Sequence, residues 1–181
     1  MTLAPLTAFG PEHFDRLIAW FSDEAAVMQW GGADMRWPLD HAQLWAMLDE
    51  ARANPPARWL LVSESAPWPP VSESDAALLA HAQVALDWRH GVARLARVGI
   101  NPALRGRGLA VPFLREVLRR VFADPAFERA ELNVYTFNHA AIRTYEQLGF
   151  QHEGTRRSAV KAGGQRWDTA MFGLLRGEAR L

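Results

Sequence analysis

A strand-to-helix junction at residues 97–122, RVGINPALRGRGLAVPFLREVLRRVF, constrains the fold of this chain more than any other segment. An extended apolar pattern ends at Asn101 and Pro102, because proline has no amide proton for a sheet ladder and restricts the residue before it. From Leu109 onward, apolar residues recur with the period of an amphipathic helix. The turn RGRG, residues 105–108, therefore joins a strand end to a helix start.

The RGRG turn has the features of an anion-binding site. The first amides of a helix lack intrahelical partners and carry a partial positive charge. Gly106 and Gly108 allow close approach of the backbone, while Arg105 and Arg107 add cationic side chains. Phosphate is the anion that such an arrangement favours. On the turn alone, the alternative of a solvated turn with two surface arginines stays open, because short glycine motifs also match by accident.

Length and charge restrict the class of protein. The chain has 181 residues and 49% hydrophobic content, which predicts one domain over residues 1–181 with a substantial core. Its 20 basic and 20 acidic residues give a net charge of +0. A neutral chain has no overall field for holding nucleic acid or an anionic membrane, so neither is expected as a partner. The same balance argues against an RGG-like nucleic-acid contact at the turn.

Residue types that are absent or scattered exclude other chemistry. Cysteine is missing, which excludes a disulfide scaffold, a thiol nucleophile and a thiolate zinc site. The six histidines show no metal-ligand spacing, so no metal is expected. No stretch approaches the ~20 apolar residues of a membrane helix, and the first residues lack the pattern of a signal peptide. We therefore expect a cytoplasmic protein.

Apolar periodicity predicts further elements around the junction. Helical spacing marks residues 11–21 and 39–53. The proline- and serine-rich segment at residues 63–77 is expected to be a loop between two strands. The strand-like runs are RWLLVS, LLAHAQVALDW, VARLARVGI and AELNV, and a final hairpin covers residues 151–175. The chain therefore alternates helices and strands in an α/β pattern.

The run VARLARVGI leads directly into the RGRG turn, so the direction of its side chains matters. Strict alternation along a strand places Val92, Val98 and Ile100 on one face of the sheet. Leu95 is then expected to point to the opposite face, among arginines.

Two motifs in this order resemble the signatures of the GNAT superfamily, the N-acetyltransferases that use acetyl-coenzyme A. Residues 105–110, RGRGLA, have the RxxGxA form of its acyl-CoA loop. Residues 137–150, FNHAAIRTYEQLGF, resemble its second signature of asparagine, paired alanines, tyrosine and a closing LGF. The similarity covers roughly residues 92–150. Two motifs about 30 residues apart, with a helix and a strand between them, are much more specific than either alone.

The resemblance implies a fold and a reaction. The implied α/β (α+β) fold is a mixed, mostly antiparallel twisted sheet flanked by helices, with a V-shaped cleft between the strand ending at Ile100 and the strand at residues 131–134. The implied reaction is direct attack of a primary amine, from a small molecule or a peptide or protein N-terminus, on the acetyl thioester in a ternary complex. The final hairpin resembles the branch of ribosomal-protein N-terminal and spermidine acetyltransferases. A monomer or homodimer is expected.

The resemblance also implies a donor site and an acid. Tyr145 is expected to protonate the leaving thiolate, although a helical tyrosine is otherwise more often a half-buried packing residue. Asn138 is a good helix N-cap by residue type, and the resemblance adds a contact to coenzyme A. The residues expected to bind the acetyl-CoA cofactor are Val98, Gly99, Ile100, Arg105, Gly106, Arg107, Gly108, Leu109, Ala110, Asn138 and Tyr145.

The general base is less defined in the sequence. Carboxylate candidates are Glu131, Asp87 and Glu24, and of these we assign Glu131 a catalytic role. Glu131 shares a strand face with Asn133 and Tyr135, and it reaches the cleft only if that polar face does. A relay through water is the alternative.

The acceptor pocket is predicted from residues in two segments. Trp30, Trp37 and Asp87 are the candidates for acceptor binding, since an aromatic pocket suits a cationic amine. Core packing is the alternative role for the tryptophans. A non-catalytic acyl-CoA-binding or protein-interaction module on the same fold is the alternative function.

Overall fold

The structure, a computed structural model, describes residues 5–65 and 77–181. The predicted loop at residues 63–77 lies mainly outside the described residues, and its two ends belong to strands. The helices are α1 (Phe14–Ile18), α2 (Glu24–Gly31), α3 (His41–Ala51), α4 (Ala110–Ala123) and α5 (His139–Leu148). The strands are β1 (Thr7–Ala8), β2 (Arg58–Ser65), β3 (Ala77–Asp87), β4 (Val92–Ile100), β5 (Arg129–Tyr135), β6 (Gln151–Ala162) and β7 (Gln165–Leu175).

The strands form one seven-stranded sheet in the order β1-β2-β3-β4-β5-β7-β6. Neighbouring strands are antiparallel except for the central pair of β4 and β5, which are parallel. A parallel pair needs a crossover connection, and α4 supplies it. The predicted fold class, a mixed and mostly antiparallel sheet flanked by helices, is confirmed.

The two central strands pair over only part of their length. Parallel pairing joins Val92 through Leu95 to residues 129–132 and then stops. β4 also contains a bulge, because two of its residues lie between Ala96 and Gly99 where β3 has one. Arg97, inside the bulge, has a φ of 47°. The far half of β4 therefore leaves its neighbour β5 and opens a cleft.

The predicted direction of the Leu95 side chain is wrong because of this bulge. The sequence pattern placed Leu95 on the face opposite to Val98 and Ile100. In the structure, Leu95 is buried in the same apolar cluster against which Val98 and Ile100 pack. Strict alternation fails here because the extra residue of a bulge reverses the parity of the strand beyond it.

Two apolar layers cover the two faces of the sheet. One layer holds α4 and α5 against the sheet and contains the fully buried Phe113 and Leu148. The other layer holds the first three helices and contains the fully buried Leu17 and Leu44. Within the part of the chain that the structure describes, no helix is long and apolar enough to cross a membrane.

The first predicted helix is shorter than its apolar spacing indicated. Residues 11–21 contain a 3-10 turn, Pro11–His13, followed by α1, which ends at Ile18. Phe21 lies beyond the helix but remains buried, so tertiary packing rather than helical phase explains its place in the apolar pattern. The second predicted helix, residues 39–53, corresponds to α3 with slightly narrower bounds.

Candidate active site

A cavity of about 920 Å³ lies where β4 and β5 separate. The RGRG turn, the far half of β4 and the start of α5 line one continuous space. The end of α2 and the turn after it line the same space. The two sequence motifs, about 30 residues apart in the chain, are thus brought to one cavity.

The loop between β4 and α4 is anchored by Asn101. Its side-chain oxygen accepts a hydrogen bond from the amide of Ala103 at 3.0 Å, and its side-chain nitrogen donates to the carbonyl of Leu78 at 3.0 Å. Gly106 and Gly108 have φ values of 77° and 74°, a region that other residues adopt only with strain. A β-carbon at either glycine would meet nothing within 4 Å, so the space above the turn is open.

The donor-binding residues predicted from the loop lie at this cavity with one exception. The side of the turn facing the cavity is formed by Arg105, Gly106, Gly108, Leu109 and Ala110, whereas Arg107 is not part of the lining. Ala110 begins α4, so the first amides of that helix lie next to the open space.

The end of β4 presents backbone to the cavity. Val98, Gly99 and Ile100 all belong to the lining, and none has a strand partner on the side of β5. Backbone groups on this side are therefore available to an extended ligand. A β-carbon at Gly99 would lie 3.1 Å from the ring of Trp20 and 3.4 Å from that of Trp30, so glycine allows the aromatic rings to pack closely over the strand.

Tyr145 and Asn138 both reach the cavity from α5. Tyr145 is 7% exposed, and it packs against Phe150 with ring centroids 5.9 Å apart. Burial raises the pKa of this phenol to about 12, so it is neutral at physiological pH. The side-chain oxygen of Asn138 accepts a hydrogen bond from the amide of Ala141 at 3.2 Å, which confirms the predicted N-cap.

The predicted carboxylates lie outside the cavity. Glu131 accepts a hydrogen bond from Nε of Arg94 at 2.7 Å and lies 3.5 Å from Nε of Arg129. Asp87, at the turn after β3, accepts from His90, and this hydrogen bond lowers the pKa of the Asp87 carboxyl. Both carboxylates therefore have hydrogen-bond partners and are not part of the cavity lining.

Among the described residues, the carboxylate that lines the cavity is Asp34, which sequence reasoning did not single out. It follows α2 in a short 3-10 turn, and its side chain is 88% exposed. Glu24, at the first turn of α2, does not line the cavity. The part of the chain described here contains no group of three or more residues suited to hold a metal ion.

The two tryptophans predicted for the acceptor pocket are in different environments. Trp30 lines the cavity and is 9% exposed, and its indole nitrogen donates to the carbonyl of Arg97 at 2.7 Å. Trp37 is 44% exposed and is not part of the lining. Trp30 therefore combines a packing role with a position at the cavity wall.

A buried polar cluster on β3 and β4 was not anticipated from the sequence. Gln83 is fully buried, and its side-chain oxygen accepts from both Arg97 and Arg58 at 3.0 Å each. His81 is also fully buried, and its Nδ1 donates to the carbonyl of Arg97 at 3.0 Å. The available signal was the pair of polar residues, two positions apart, inside the otherwise apolar run LLAHAQVAL.

Comparisons with known proteins agree with this geometry. A family model described as an acetyltransferase (GNAT) domain matches residues 5–151. A prophage-derived uncharacterized N-acetyltransferase of Bacillus subtilis is 38% identical over 77 residues, which cover 42% of this chain and 44% of that protein. An N-alpha-acetyltransferase, RimI, of Mycobacterium tuberculosis is 33% identical over 84 residues, which cover 41% of this chain and 51% of that protein. The chain thus spans about half the length of these relatives.

Solved structures share the fold over almost the whole chain. A spermidine N-acetyltransferase from Vibrio cholerae, in complex with CoA and spermine, has a TM-score of 0.79 at 18% identity, covering 97% of this chain and 96% of that one. A probable acetyltransferase of the GNAT family from Chromobacterium violaceum has a TM-score of 0.70 at 26% identity, covering 97% of this chain and 83% of that one.

Proposed function

The chain belongs to the GNAT acetyltransferase family, and on this premise we propose that it transfers the acetyl group of acetyl-CoA to a primary amine. The acceptor is a small-molecule amine or the N-terminal amine of a peptide or protein. The observation that carries the proposal is the single cavity shared by the RGRG turn, the open end of β4 and Tyr145.

Backbone groups at the strand end and the helix start hold the donor in this proposal. Amides at the start of α4 receive its diphosphate, because a helix N-terminus and an adjacent glycine turn favour a negative charge. The edge formed by Val98, Gly99 and Ile100 pairs with the amides of the pantetheine arm like an added strand. The missing strand partner beyond Leu95 and the open space above Gly108 support this fit.

The proposed reaction is one displacement in a ternary complex. A bond forms between the amine nitrogen and the thioester carbonyl carbon, and the carbon–sulfur bond breaks. The nitrogen loses a proton and the sulfur gains one. Tyr145 donates its hydroxyl proton towards the sulfur, because its raised pKa keeps the hydroxyl protonated. A main-chain amide near Gly99 or Ile100 stabilises the oxyanion.

The acceptor ammonium must lose a proton before its nitrogen can attack, and we propose that this proton leaves through water. Glu131 is not part of the cavity lining and forms ion pairs with Arg94 and Arg129, so it is the weaker candidate for a base. Asp34 lines the cavity and has an exposed carboxylate that can receive the proton from a water chain. We propose this relay in place of direct proton removal by Glu131.

The proposal also covers the domain organisation, oligomeric state and cellular location of the protein. One sheet runs through the described residues, which supports a single domain over residues 1–181. We propose a monomer or homodimer in the cytoplasm, and the neutral composition supports the absence of nucleic-acid and membrane partners.

Thiol release from acetyl-CoA across a panel of primary amines tests the proposed function. We expect turnover with at least one amine and strong loss of turnover in the Tyr145→Phe variant. Saturable binding of acetyl-CoA with no turnover for any amine would instead support a non-catalytic acyl-CoA-binding or interaction module.

A further inference from the structure

Basic side chains outnumber acidic ones in the lining of the cavity. Such a lining disfavours an acceptor that carries only positive charge. The charged residues that line the cavity are Arg58, Arg94, Arg97, Arg105, Arg156 and Asp34. Arg105 belongs to the donor loop, and the charge of Arg94 is neutralised by its ion pair with Glu131. The remaining basic groups, Arg58, Arg97 and Arg156, belong to strands β2, β4 and β6, and the charge of Arg58 is partly compensated by Glu50.

Arg97 is the most enclosed of these arginines. Its side chain is 11% exposed, and the nearest carboxylate, Asp34, lies 3.7 Å away on an 88% exposed side chain. Its guanidinium donates to two uncharged oxygens, at 3.0 Å to Gln83 and at 3.4 Å to the carbonyl of Gly31. A guanidinium in this position is hydrogen-bonded but incompletely neutralised, and it faces a cavity that can admit an anion.

A second guanidinium lies against the first. Arg58 donates to the same oxygen of Gln83, also at 3.0 Å, and pairs with Glu50 at 2.9 Å. Two cations that share one uncharged acceptor repel each other, and an added anion relieves that repulsion. Burial, and then the charge of Arg58, lower the pKa of Arg97, while the carboxylates of Asp34 and Glu50 act in the opposite direction.

The backbone at Arg97 is held in a conformation that is unusual for an arginine. Its φ of 47° places it in the left-handed region, and its carbonyl is fixed by hydrogen bonds from Trp30 and His81. Such strain persists only where surrounding contacts impose it, and it concentrates at functional positions. The contacts therefore fix Arg97 at the edge of the cavity, two residues before Gly99.

We propose that the acceptor amine also carries an oxyanion, a carboxylate by preference, which Arg97 binds with help from Arg58 and Arg156. The inference rests on the proposed function and narrows its substrate class to amino-acid-like amines. A planar guanidinium suits a carboxylate because two parallel hydrogen bonds can form. A polyamine is disfavoured, since its additional ammonium groups would face like charges in the same cavity.

Matched amines that differ only in charge provide the test. Thiol release is measured with glycine, β-alanine, 4-aminobutyrate and glutamate, each beside its amide, and with 1,3-diaminopropane. O-phosphoethanolamine beside ethanolamine distinguishes phosphate from carboxylate. For the best acid we expect kcat/KM to exceed that of its amide about tenfold or more, as charge-assisted hydrogen bonds predict.

The arginine variants show whether Arg97 causes the preference. Arg97→Gln should bring the acid-to-amide ratio of kcat/KM close to one, while Arg97→Lys retains part of it. Arg89→Gln, at an exposed position in the turn after β3, is the matched control and should leave the ratio unchanged. If Arg97→Gln does not fold, Arg156→Gln, which alters an exposed side chain, should lower the same ratio.

Three outcomes count against the proposal. Amides or the diamine turning over as fast as the acids would overturn the substrate class and leave the proposed acetyl transfer intact. A ratio unchanged in both Arg97→Gln and Arg156→Gln would overturn the role of these arginines. No turnover with any amine would overturn the proposed function, and this inference with it.

Discussion

The indole nitrogen of Trp30 donates a hydrogen bond to the carbonyl of Arg97 at 2.7 Å, and this bond ties α2 to the bulge of β4. Trp30→Phe removes the donor and keeps most of the ring. Because the bulge orients the end of β4, we expect the free energy of unfolding to fall by about 1–3 kcal/mol. We also expect a higher KM for acetyl-CoA. Urea titration and initial rates measure both changes.

The matched control for Trp30 is Trp37→Phe, since Trp37 is 44% exposed and lies outside the cavity lining. That variant should match the parent protein in both measurements. Equal effects of the two substitutions would show that the hydrogen bond to the bulge has no special role.

Tyr145 is predicted to act as a protonated acid. Tyr145→Phe keeps the ring and removes the hydroxyl, so kcat should fall about a hundredfold or more while acetyl-CoA still binds. Because burial raises the pKa of the phenol to about 12, the parent protein should lose no activity through deprotonation of Tyr145 below about pH 10. A pH profile of kcat from pH 6 to 10, for both proteins, checks this.

The proton relay is tested by two carboxylate variants. Asp34→Asn removes the carboxylate that lines the cavity, and Glu131→Gln removes a carboxylate that is not part of the lining and pairs with Arg94. We expect Asp34→Asn to lower kcat several-fold and to move the acid limb of its pH profile. Glu131→Gln should have little effect. A large loss of kcat in Glu131→Gln with little change in Asp34→Asn would contradict the relay and support Glu131 as the general base.

His81 gives the fold a predicted sensitivity to acid. Burial lowers the pKa of His81 from 6.5 to about 4, although its hydrogen bond to the Arg97 carbonyl acts in the opposite direction. Between those pH values the unfolded chain binds the proton and the folded chain does not. The free energy of unfolding should therefore fall as the pH falls from 6.5 to 4, by on the order of 3 kcal/mol.

A substitution at His81 isolates its share of that pH dependence. His81→Asn keeps an N–H donor near the position of Nδ1 and removes the titrating ring. Denaturant titrations at several pH values should then show a flatter acid slope, even if the variant is less stable overall. His139→Asn, at an exposed position at the start of α5, is the control and should retain the slope of the parent protein. An unchanged slope in His81→Asn would refute the assignment.

Local patterns in the sequence were sufficient to predict the parts of the fold that depend on neighbouring residues. The strand end at Asn101 and the helix beginning near Leu109 follow from proline chemistry and apolar period, and both are present. Asn138 caps α5 as its residue type predicts. The family resemblance added the mixed, mostly antiparallel sheet and the cleft beside the strand that ends at Ile100, which periodicity does not contain.

Features that depend on long-range contacts could not be read in the same way. The bulge at Arg97 exists because Trp30 and His81, from distant segments, hold its carbonyl. The position of Asp34 at the cavity depends on how α2 packs on the sheet. Glu131 shares a strand face with cavity residues, but it forms ion pairs with Arg94 and Arg129 and is not part of the cavity lining.

The central claim is that backbone amides of the RGRG turn and the start of α4 bind the diphosphate of acetyl-CoA. Titration calorimetry with acetyl-CoA tests it directly, in the parent protein and in Gly108→Asp. Aspartate at a φ of 74° adds backbone strain and places a negative charge beside the diphosphate. The account predicts saturable binding with a dissociation constant below about 1 mM, lost in Gly108→Asp. No heat at millimolar acetyl-CoA, or equal binding by both proteins, would contradict it.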